Sequence, residues 1–523
     1  MPKQPSLQGQ PKVASRSWGP CEWLQEQKWS GWQRTIGYSP MFRALPIVLL
    51  SACALPGSDP GPRRPHIVVI LADDLGQGDL GCYNRDSKIP TPHMDRLAAE
   101  GTRFTDAHSP SAVCSPTRYG LLTGRYAWRT RLKSGVLNGR SRALIEEGRP
   151  TIASVLGERG YQSHVVGKWH LGLGDKQPTD YSKPLTPGPL EVGFDHAFLF
   201  PASLDMEPYV YVVDHDAVSE PTEDIKGSAH RRQKGGGFWR EGKASPGWDM
   251  HAVLPKLAEE ACTRITAHAE RSEEDSLFLY LPLTAPHTPW LPTEEWSGKT
   301  SISHYGDFVA QVDGVVGQVM SALEKSGMAE DTLLVVTSDN GSHWPVSDIE
   351  RWGHDANNGL RGQKADIHEG GHRIPFLARW SDRVPSGEES DELICLTDLY
   401  ATIAAITGGV PETGGEDSFD LSAHLLGERA DKPVRDQLVH HSLRGMFAIR
   451  QGPWKLIMER GSGGFTKPTS VKPKEDEPIG QLYNLKRDPA ETQNVWGENP
   501  EVVARLGALL QDLKESGHSK APR

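Results

Sequence analysis

The sequence contains no run of about 18 to 20 apolar residues, so no segment reads as a membrane-spanning helix. Cysteine is scarce, six in 523 residues. The irregular spacing of these cysteines excludes a disulfide framework and a Cys-His zinc motif. Positive charge is in deficit: 57 Lys and Arg against 68 Asp and Glu give a formal charge of −11. An acidic chain is not a general nucleic-acid binder, although a local cationic pocket on it can still hold an anion. No internal repeat is visible. A chain of this length then forms one large core, or a large core plus a smaller domain.

What is present begins near residue 41. Met41-Phe-Arg43, an apolar run from Ala44 to Leu50 and the box Leu50-Ser-Ala-Cys53 form an export signal of lipoprotein type, with Cys53 as the lipid-bearing residue. Ala52-Cys-Ala54 also serves as a small-residue cleavage site, so lipidation and simple cleavage both stand. Residues 1–40 are polar, rich in Trp and without periodicity; they are expected to be an extension upstream of a true start at Met41. Residues 41–54 are then the signal, and 55–64 a Pro-rich linker. With Cys21 and Cys53 set aside, Cys82, Cys114, Cys262 and Cys395 remain.

From 65 to 431 strands alternate with helices. Strands are expected at His66–Leu71, Tyr161–Val166, Ser276–Leu281, Leu333–Thr337 and Ile374–Arg379. Helices are expected at Thr91–Gly101, from the Cys114 segment to Gly124, and at Thr151–Gly160, Leu254–His268, Tyr305–Lys325 and Asp398–Ile406. This order predicts an α/β fold, a large and mostly parallel sheet covered by helices on both faces. Lys176 to Gly247 breaks the pattern and reads as a long excursion toward substrate. From 432 to 523 a hairpin (Gly445–Arg450, Trp454–Met458), a strand at Gln481–Leu485 and a helix at Pro500–Ser516 predict a small α+β subdomain with an antiparallel sheet. Gly461–Glu477 reads as a flexible loop between its strands.

Ligands of parallel sheets bind at the carboxyl ends of strands. Those ends collect Asp73 and Asp74, Lys168 and His170, His287, and Asp339 and Asn340. Taken singly, each suits a turn or a helix cap. Together they give an oxygen-ligand set, Asp73, Asp74, Asp339 and Asn340, suited to a hard cation: Ca²⁺ first, Mg²⁺ second, Zn²⁺ disfavoured. Arg118, Lys168, Lys364, His170 and His287 add cationic and imidazole groups that require a compact anion between them. Sulfate and phosphate both fit. Trp290, Trp344, Trp352, His343, His354 and the 196–250 insertion are candidates for reading the rest of a substrate.

Ala112-Val-Cys-Ser-Pro-Thr-Arg-Tyr-Gly-Leu-Leu-Thr-Gly124 resembles the first signature of the type I sulfatases, C-x-P-x-R with its Leu-Leu-Thr-Gly-Arg extension. Gly160–His170 resembles their second signature. Ala285-Pro-His287, Ser338-Asp-Asn-Gly341, Gly362-Gln-Lys364 and Glu369-Gly-Gly371 are similar to further blocks, in the arylsulfatase A-like branch. The resemblance implies an alkaline phosphatase-type α/β fold and a sulfuric ester hydrolase. It implies that a maturation enzyme oxidises Cys114 to formylglycine, which hydrates to a diol; one oxygen attacks sulfur, and collapse of the diol expels sulfate. It implies that Arg118 orients the diol and that Lys168, His287 and Lys364 bind sulfate oxygens. It gives protonation of the leaving alcohol to His287 or Lys364 and the elimination proton to His170, with formylglycine at Cys114 completing the metal set. The substrate is then a sulfated carbohydrate or an aryl sulfate. A phosphate or phosphonate ester hydrolase of the same superfold, and a non-catalytic glycan-binding lipoprotein if Cys114 is not matured, are the competing readings. Oligomeric state is open.

The start-site reading has a direct check. Intact mass of the mature protein is expected to place its N-terminus beyond residue 50. A mature chain that retains residues 1–40 overturns it.

Overall fold

Strands buried on both faces need continuous apolar runs, and three segments supply them. His66–Asp73, Ser276–Pro286 and Thr332–Ser338 are buried at every position. The computed structural model describes residues 64–229, 237–271, 275–409, 411, 413–428 and 432–520. The extension at 1–40, the export signal with Cys53, and linker residues 55–63 lie outside the described residues.

The three strands sit side by side within a ten-stranded sheet. From one edge the order is Glu388–Ser390, Thr102–Phe104, Phe376–Arg379, Thr332–Ser338, His66–Asp73, Ser276–Pro286, Tyr161–Lys168, His196–Phe200, Val212–Val213 and Asp216–Ala217. The five strands from Thr332–Ser338 to His196–Phe200 are mutually parallel. Phe376–Arg379 runs antiparallel to both its neighbours, so the sheet is mixed toward that edge. The Lys176–Gly247 stretch is not wholly an excursion: His196–Phe200 extends the sheet beside Tyr161–Lys168.

Alternate residues of the first strand feed two cores. Ile67, Val69 and Leu71 pack with Tyr119, Leu122, Ile152 and Ile403; Val68, Ile70 and Ala72 pack with Leu97, Leu257, Phe308 and Val312. Helices Cys114–Thr123, Ile152–Gly157 and Asp398–Ile406 therefore cover one face. Pro92–Glu100, Val253–Arg271 and His304–Lys325 cover the other.

Gln437–His441, Phe447–Gln451, Trp454–Ile457 and Gln481–Asn484 form the antiparallel sheet of the C-terminal subdomain. Its helix, Pro500–Ser516, buries Val502, Leu506, Leu510 and Leu513, a spacing that keeps one face inward. The subdomain is joined to the main sheet by buried charge. Arg450 reaches Asp106 at 2.6 and 2.7 Å, and the Lys455 ammonium bridges Glu369 and Glu491, each at 2.9 Å. The His372 and His440 rings stack at 3.6 Å between these pairs, and His108 contacts His372 at 3.0 Å.

Burial holds His108, His372 and His440 below the usual imidazole range, and the Lys455 ammonium adds to this at His372 and His440. The folded protein keeps them neutral, whereas the unfolded chain takes up these protons from about pH 6.5 downward. Their stabilisation is complete above that pH and is lost below it. Arg450 acts in the same direction at His108, and Asp106 and Glu369 oppose. Glu491, pushed up to about 7 by burial, offsets one proton of the three. Urea midpoints are therefore expected to fall between about pH 6.5 and pH 5, and His440→Asn is expected to flatten that dependence.

Candidate active site

The four neighbouring strands Thr332–Ser338, His66–Asp73, Ser276–Pro286 and Tyr161–Lys168 point the same way, so their carboxyl ends meet at one edge. That edge receives Asp339 and Asn340, Asp73 and Asp74, His287, and Lys168 and His170. The turns there are tight. Asp74 and His170 hold positive φ angles of 72° and 56°, and Ala365 beside Lys364 holds 78°. Such conformations are disfavoured for L-residues and persist where the surroundings fix them. Gly167 has φ 137° and no room for a Cβ, which would lie 1.9 Å from the Pro282 carbonyl oxygen. A side chain there would prise Lys168 from its neighbour strand.

Cys114 is the first residue of the Cys114–Thr123 helix and is 2% exposed. Gly124 closes this helix with φ 63°, and a Cβ there would meet Tyr400, Ser418 and Gly415. Arg118 lies one turn after Cys114, on the same face. Its guanidinium forks onto Asp339 Oδ2 at 2.7 and 3.0 Å and donates to the Lys168 carbonyl at 2.8 Å. Lys168 Nζ donates to Asp73 at 2.6 Å and to Ser203 Oγ at 2.7 Å. Lys364 Nζ lies 2.7 and 2.8 Å from the two Asp74 oxygens. Asn340 donates to Asp74 at 2.7 Å, and His287 Nε2 faces the same carboxylate at 3.8 Å.

These charges set the protonation states. Burial would raise Asp73, but Lys168, His287 and Arg118 hold its carboxyl below the usual range. Burial works against the Lys364 charge, yet Asp74 and its neighbours hold the ammonium above its usual range. Burial and Asp73 push Asp339 up. The Cys114 thiol is pushed up by burial, and Lys168 and Lys364 reverse only part of that. A thiol that acts as a nucleophile needs the opposite shift. The structure therefore holds Cys114 as a neutral side chain in a charged pocket.

His170 has a defined tautomer. Its Nε2 donates to the Leu137 carbonyl at 2.7 Å, so Nδ1 carries the lone pair, and buried Nδ1 has no partner. Burial, then Lys168 and Arg118, lower its pKa well below the ordinary value. It is a neutral base. Ser115, next to Cys114, accepts from Leu137 N at 3.1 Å and so fixes the loop that orients His170.

Asp73 Oδ1 and Asn340 Oδ1 are buried acceptors that receive no hydrogen bond. Asp73 with Cys114 and Asp339, and Asp73 with Asp74 and His287, place potential ligand atoms within 4.8 Å of one another. Orphaned oxygens among carboxylates suit a hard cation. His108, His372 and His440 also cluster. Stacking of His372 on His440 at an interplanar angle of 15° makes their in-plane lone pairs parallel rather than convergent, and Lys455 stands beside them. That group serves the subdomain interface.

The structure brings together Asp73, Asp74, Cys114, Arg118, Lys168, His170, His287, Asp339, Asn340 and Lys364. It corrects the reading of Trp344 and His354 as substrate contacts. Trp344 stacks on Tyr305 at 4.6 Å and donates to the His354 carbonyl at 2.8 Å. Both His354 ring nitrogens are engaged, Nε2 with Asp79 at 2.9 Å and Nδ1 with Lys88 N at 3.5 Å. Trp290 packs on the same group; with Trp352, Arg351 and His304 it lines a separate cleft of about 580 Å³. His343 is half-buried, its ring 5.0 Å from that of Phe465. Ser203, Ser115 and the Leu137 carbonyl were not legible in the sequence. Only the chain's folding places them beside Lys168 and His170.

A pocket that pairs buried carboxylates with cations at the carboxyl ends of a parallel sheet suits a small anionic ester. The sulfatase family profile matches residues 65–410. An N-acetylgalactosamine-6-O-sulfatase of Bacteroides thetaiotaomicron is 34% identical over 90% of this chain and 97% of its own. Human arylsulfatase A is 34% identical over 86% of this chain and 87% of its own. A solved structure from work on glycosaminoglycan metabolism by B. thetaiotaomicron superposes with a TM-score of 0.77 at 33% identity, covering 87% of this chain and all of that one. Another, solved with a neocarrahexaose, gives 0.66 at 25% identity over 87% of this chain and 94% of that one. The chain belongs to the sulfatase family. It is a hydrolase of sulfate esters, and the family uses a formylglycine and a metal ion.

An added divalent cation is expected to raise the melting temperature of chelator-treated protein by several degrees through mass action on the folded state. Asn340→Ala and Asp73→Asn are expected to remove most of that shift, read by differential scanning fluorimetry.

Proposed function

We propose that this sulfatase removes sulfate from a carbohydrate, with 6-sulfated N-acetylgalactosamine as the first candidate and aryl sulfates as surrogates. The single observation that carries the catalytic reading is Cys114. It is a buried thiol of raised pKa on a helix terminus, among Lys168, Lys364, Asp73 and Asp339. That setting suits a precursor of formylglycine and not a working thiol. The B. thetaiotaomicron relative, similar over nearly its whole length, supports the carbohydrate assignment.

Asp73, Asp74, Asp339 and Asn340 would hold the metal, Ca²⁺ in preference to Mg²⁺, because carboxylate and amide oxygens alone suit a hard cation. Bound there, the metal supplies Lewis acidity and a template for the ester. Oxidised to formylglycine and hydrated, Cys114 would supply one hydroxyl for attack on sulfur and a second whose loss of a proton would re-form the aldehyde as the C–O bond to sulfate breaks.

The chain's own groups supply the rest. Lys168 and Lys364 meet the sulfate oxygens as ammonium groups, and Arg118 orients the attacking hydroxyl from Asp339. Fixed cations aimed at developing charge lower the barrier without reorganising at the moment of reaction. His287 donates through Nδ1 to the Thr288 carbonyl at 2.5 Å, which leaves Nε2 for the substrate. Either His287 or Lys364 delivers the proton to the leaving alcohol. His170 Nδ1 takes the proton of the second hydroxyl. A maturation enzyme must reach Cys114 before the fold closes over it, and export through the Met41–Cys53 segment belongs to this reading. Among the described residues no helix is long and apolar enough to cross a membrane.

Peptide mass spectrometry across Ser111–Arg118 after native expression is expected to show a loss of about 18 Da at Cys114, the exchange of H₂S for O. Cys114→Ala is expected to lower aryl sulfate turnover by at least about 10³-fold. An active preparation with unmodified Cys114, or faster turnover of the matching aryl phosphate, contradicts the proposal.

A further inference from the structure

Among the described residues, four large hydrophobic side chains are exposed: Val218, Val346, Phe465 and Ile479. Phe465 is the single aromatic one, at 41% exposure. It belongs to the Gly461–Glu477 loop of the C-terminal subdomain, which the sequence suggests is flexible. The segment around Phe465 is instead pinned. Phe465 N and Thr466 N both donate to Asp366 Oδ1, at 2.8 and 3.0 Å. Ile367 N donates to the Ser462 carbonyl at 2.8 Å, and Ser462 Oγ donates to the Thr466 carbonyl at 2.5 Å. Gly464 lies so close to Ala365 that a Cβ would meet its carbonyl at 2.3 Å. A fixed backbone beneath an exposed ring means that the ring is held out.

Where it is held out matters. Ala365 follows Lys364, and its N–H donates at 2.7 Å to the carbonyl of Ala112, two residues before Cys114. Lys364 N donates at 3.0 Å to the Ser342 carbonyl, so His343 stands on the other flank of Lys364. The Phe465 and His343 rings meet at 5.0 Å with a tilt of 45°. Two rings from two subdomains thus form one shelf beside the lysine assigned to the sulfate.

We infer that Phe465, with His343, is a specificity-determining shelf that holds the apolar face of the pyranose from which sulfate is removed. This rests on the carbohydrate sulfatase reading above. An anion pocket recognises sulfate alike on every ester; selection among alcohols must come from surface just outside it. An aromatic face buries the C–H side of a sugar ring, and the imidazole adds a polar edge. The contact exists before and during bond cleavage, so its loss acts on binding and leaves the chemical step intact.

The test compares Phe465→Ala, Phe465→Trp and His343→Ala with the wild type on two substrates, a 6-sulfated N-acetylgalactosamine and a small alkyl sulfate too short to reach the shelf. Phe465→Ala is expected to raise KM for the sugar about tenfold with kcat within about twofold, and to leave both parameters for the alkyl sulfate unchanged. Phe465→Trp is expected to restore the sugar KM, and His343→Ala to give a smaller rise. An unchanged sugar KM in Phe465→Ala, or an equal loss on both substrates, overturns the shelf. So does a wild type that cleaves alkyl sulfate but no sulfated sugar. A wild type that cleaves neither, with Cys114 matured, overturns the underlying function instead.

Discussion

Three carboxylates, Asp73, Asp74 and Asp339, are buried side by side at the end of the sheet, and their neutralisation constrains everything around them. Taking a carboxylate out of water costs several kcal/mol even after relaxation, on the order of that for each ion. Attraction offsets this cost only where the partner is close and correctly placed. Lys168 at 2.6 Å from Asp73, Lys364 at 2.7 Å from Asp74 and Arg118 at 2.7 Å from Asp339 meet that condition. Each cation comes from a different part of the chain. The parallel register, Gly167 and the strained turns at Asp74 and His170 all serve to bring these six groups into one small volume.

The same cations are the groups assigned to an anionic ester. Lys168 and Lys364 can serve sulfate only if the carboxylates they now cover have another counter-charge. That requirement is a physical reason for the donor set to hold a divalent cation, independent of any resemblance. The orphaned oxygens of Asp73 and Asn340 point the same way, since a buried acceptor without a donor is costly unless something fills it. His170 shows the complementary device. Its Nε2 is tied to a carbonyl and its Nδ1 is left free, so one hydrogen bond fixes both the tautomer and the direction of proton acceptance.

Much of this was legible in the sequence because strand ends are local. An apolar run followed by Asp73-Asp74, or by Ser338-Asp-Asn, announces a strand and what stands at its tip, and the rule for parallel sheets then collects the tips. Side chains that act through distant partners were not legible. Ser203 lies in a stretch with no periodicity, and only the pairing of His196–Phe200 with Tyr161–Lys168 carries it to the Lys168 ammonium. Trp344 and His354 failed in the other direction. Their closeness in sequence to Asn340 suggested the pocket, but a residue six positions beyond the strand, as Trp344 is, can turn back into the core. There Trp344 stacks on Tyr305 and donates to the His354 carbonyl, while Asp79 takes both the Tyr305 hydroxyl and His354 Nε2.

The C-terminal subdomain supplies none of the ten groups in the pocket, yet it fixes two of the segments that do. The His441 carbonyl accepts from Ala112 N at 3.1 Å, which sets the approach to Cys114, and Leu443 N donates at 3.0 Å to the Ala365 carbonyl next to Lys364. The segments that carry the thiol and the lysine are thus braced by neighbouring residues at the end of one subdomain strand. Removing that brace would leave every catalytic side chain present and unaligned, and misplacement of about 1 Å is enough to cost a hundredfold in rate. Its attachment combines buried charge, Arg450–Asp106 and Lys455–Glu369 beside the neutral histidine stack, with an apolar seam in which Tyr126, Trp128 and Leu393 pack with Leu438, Ile449 and Leu456. The geometry of the pocket and the protonation of an interface outside it are consequently one coupled property of the fold.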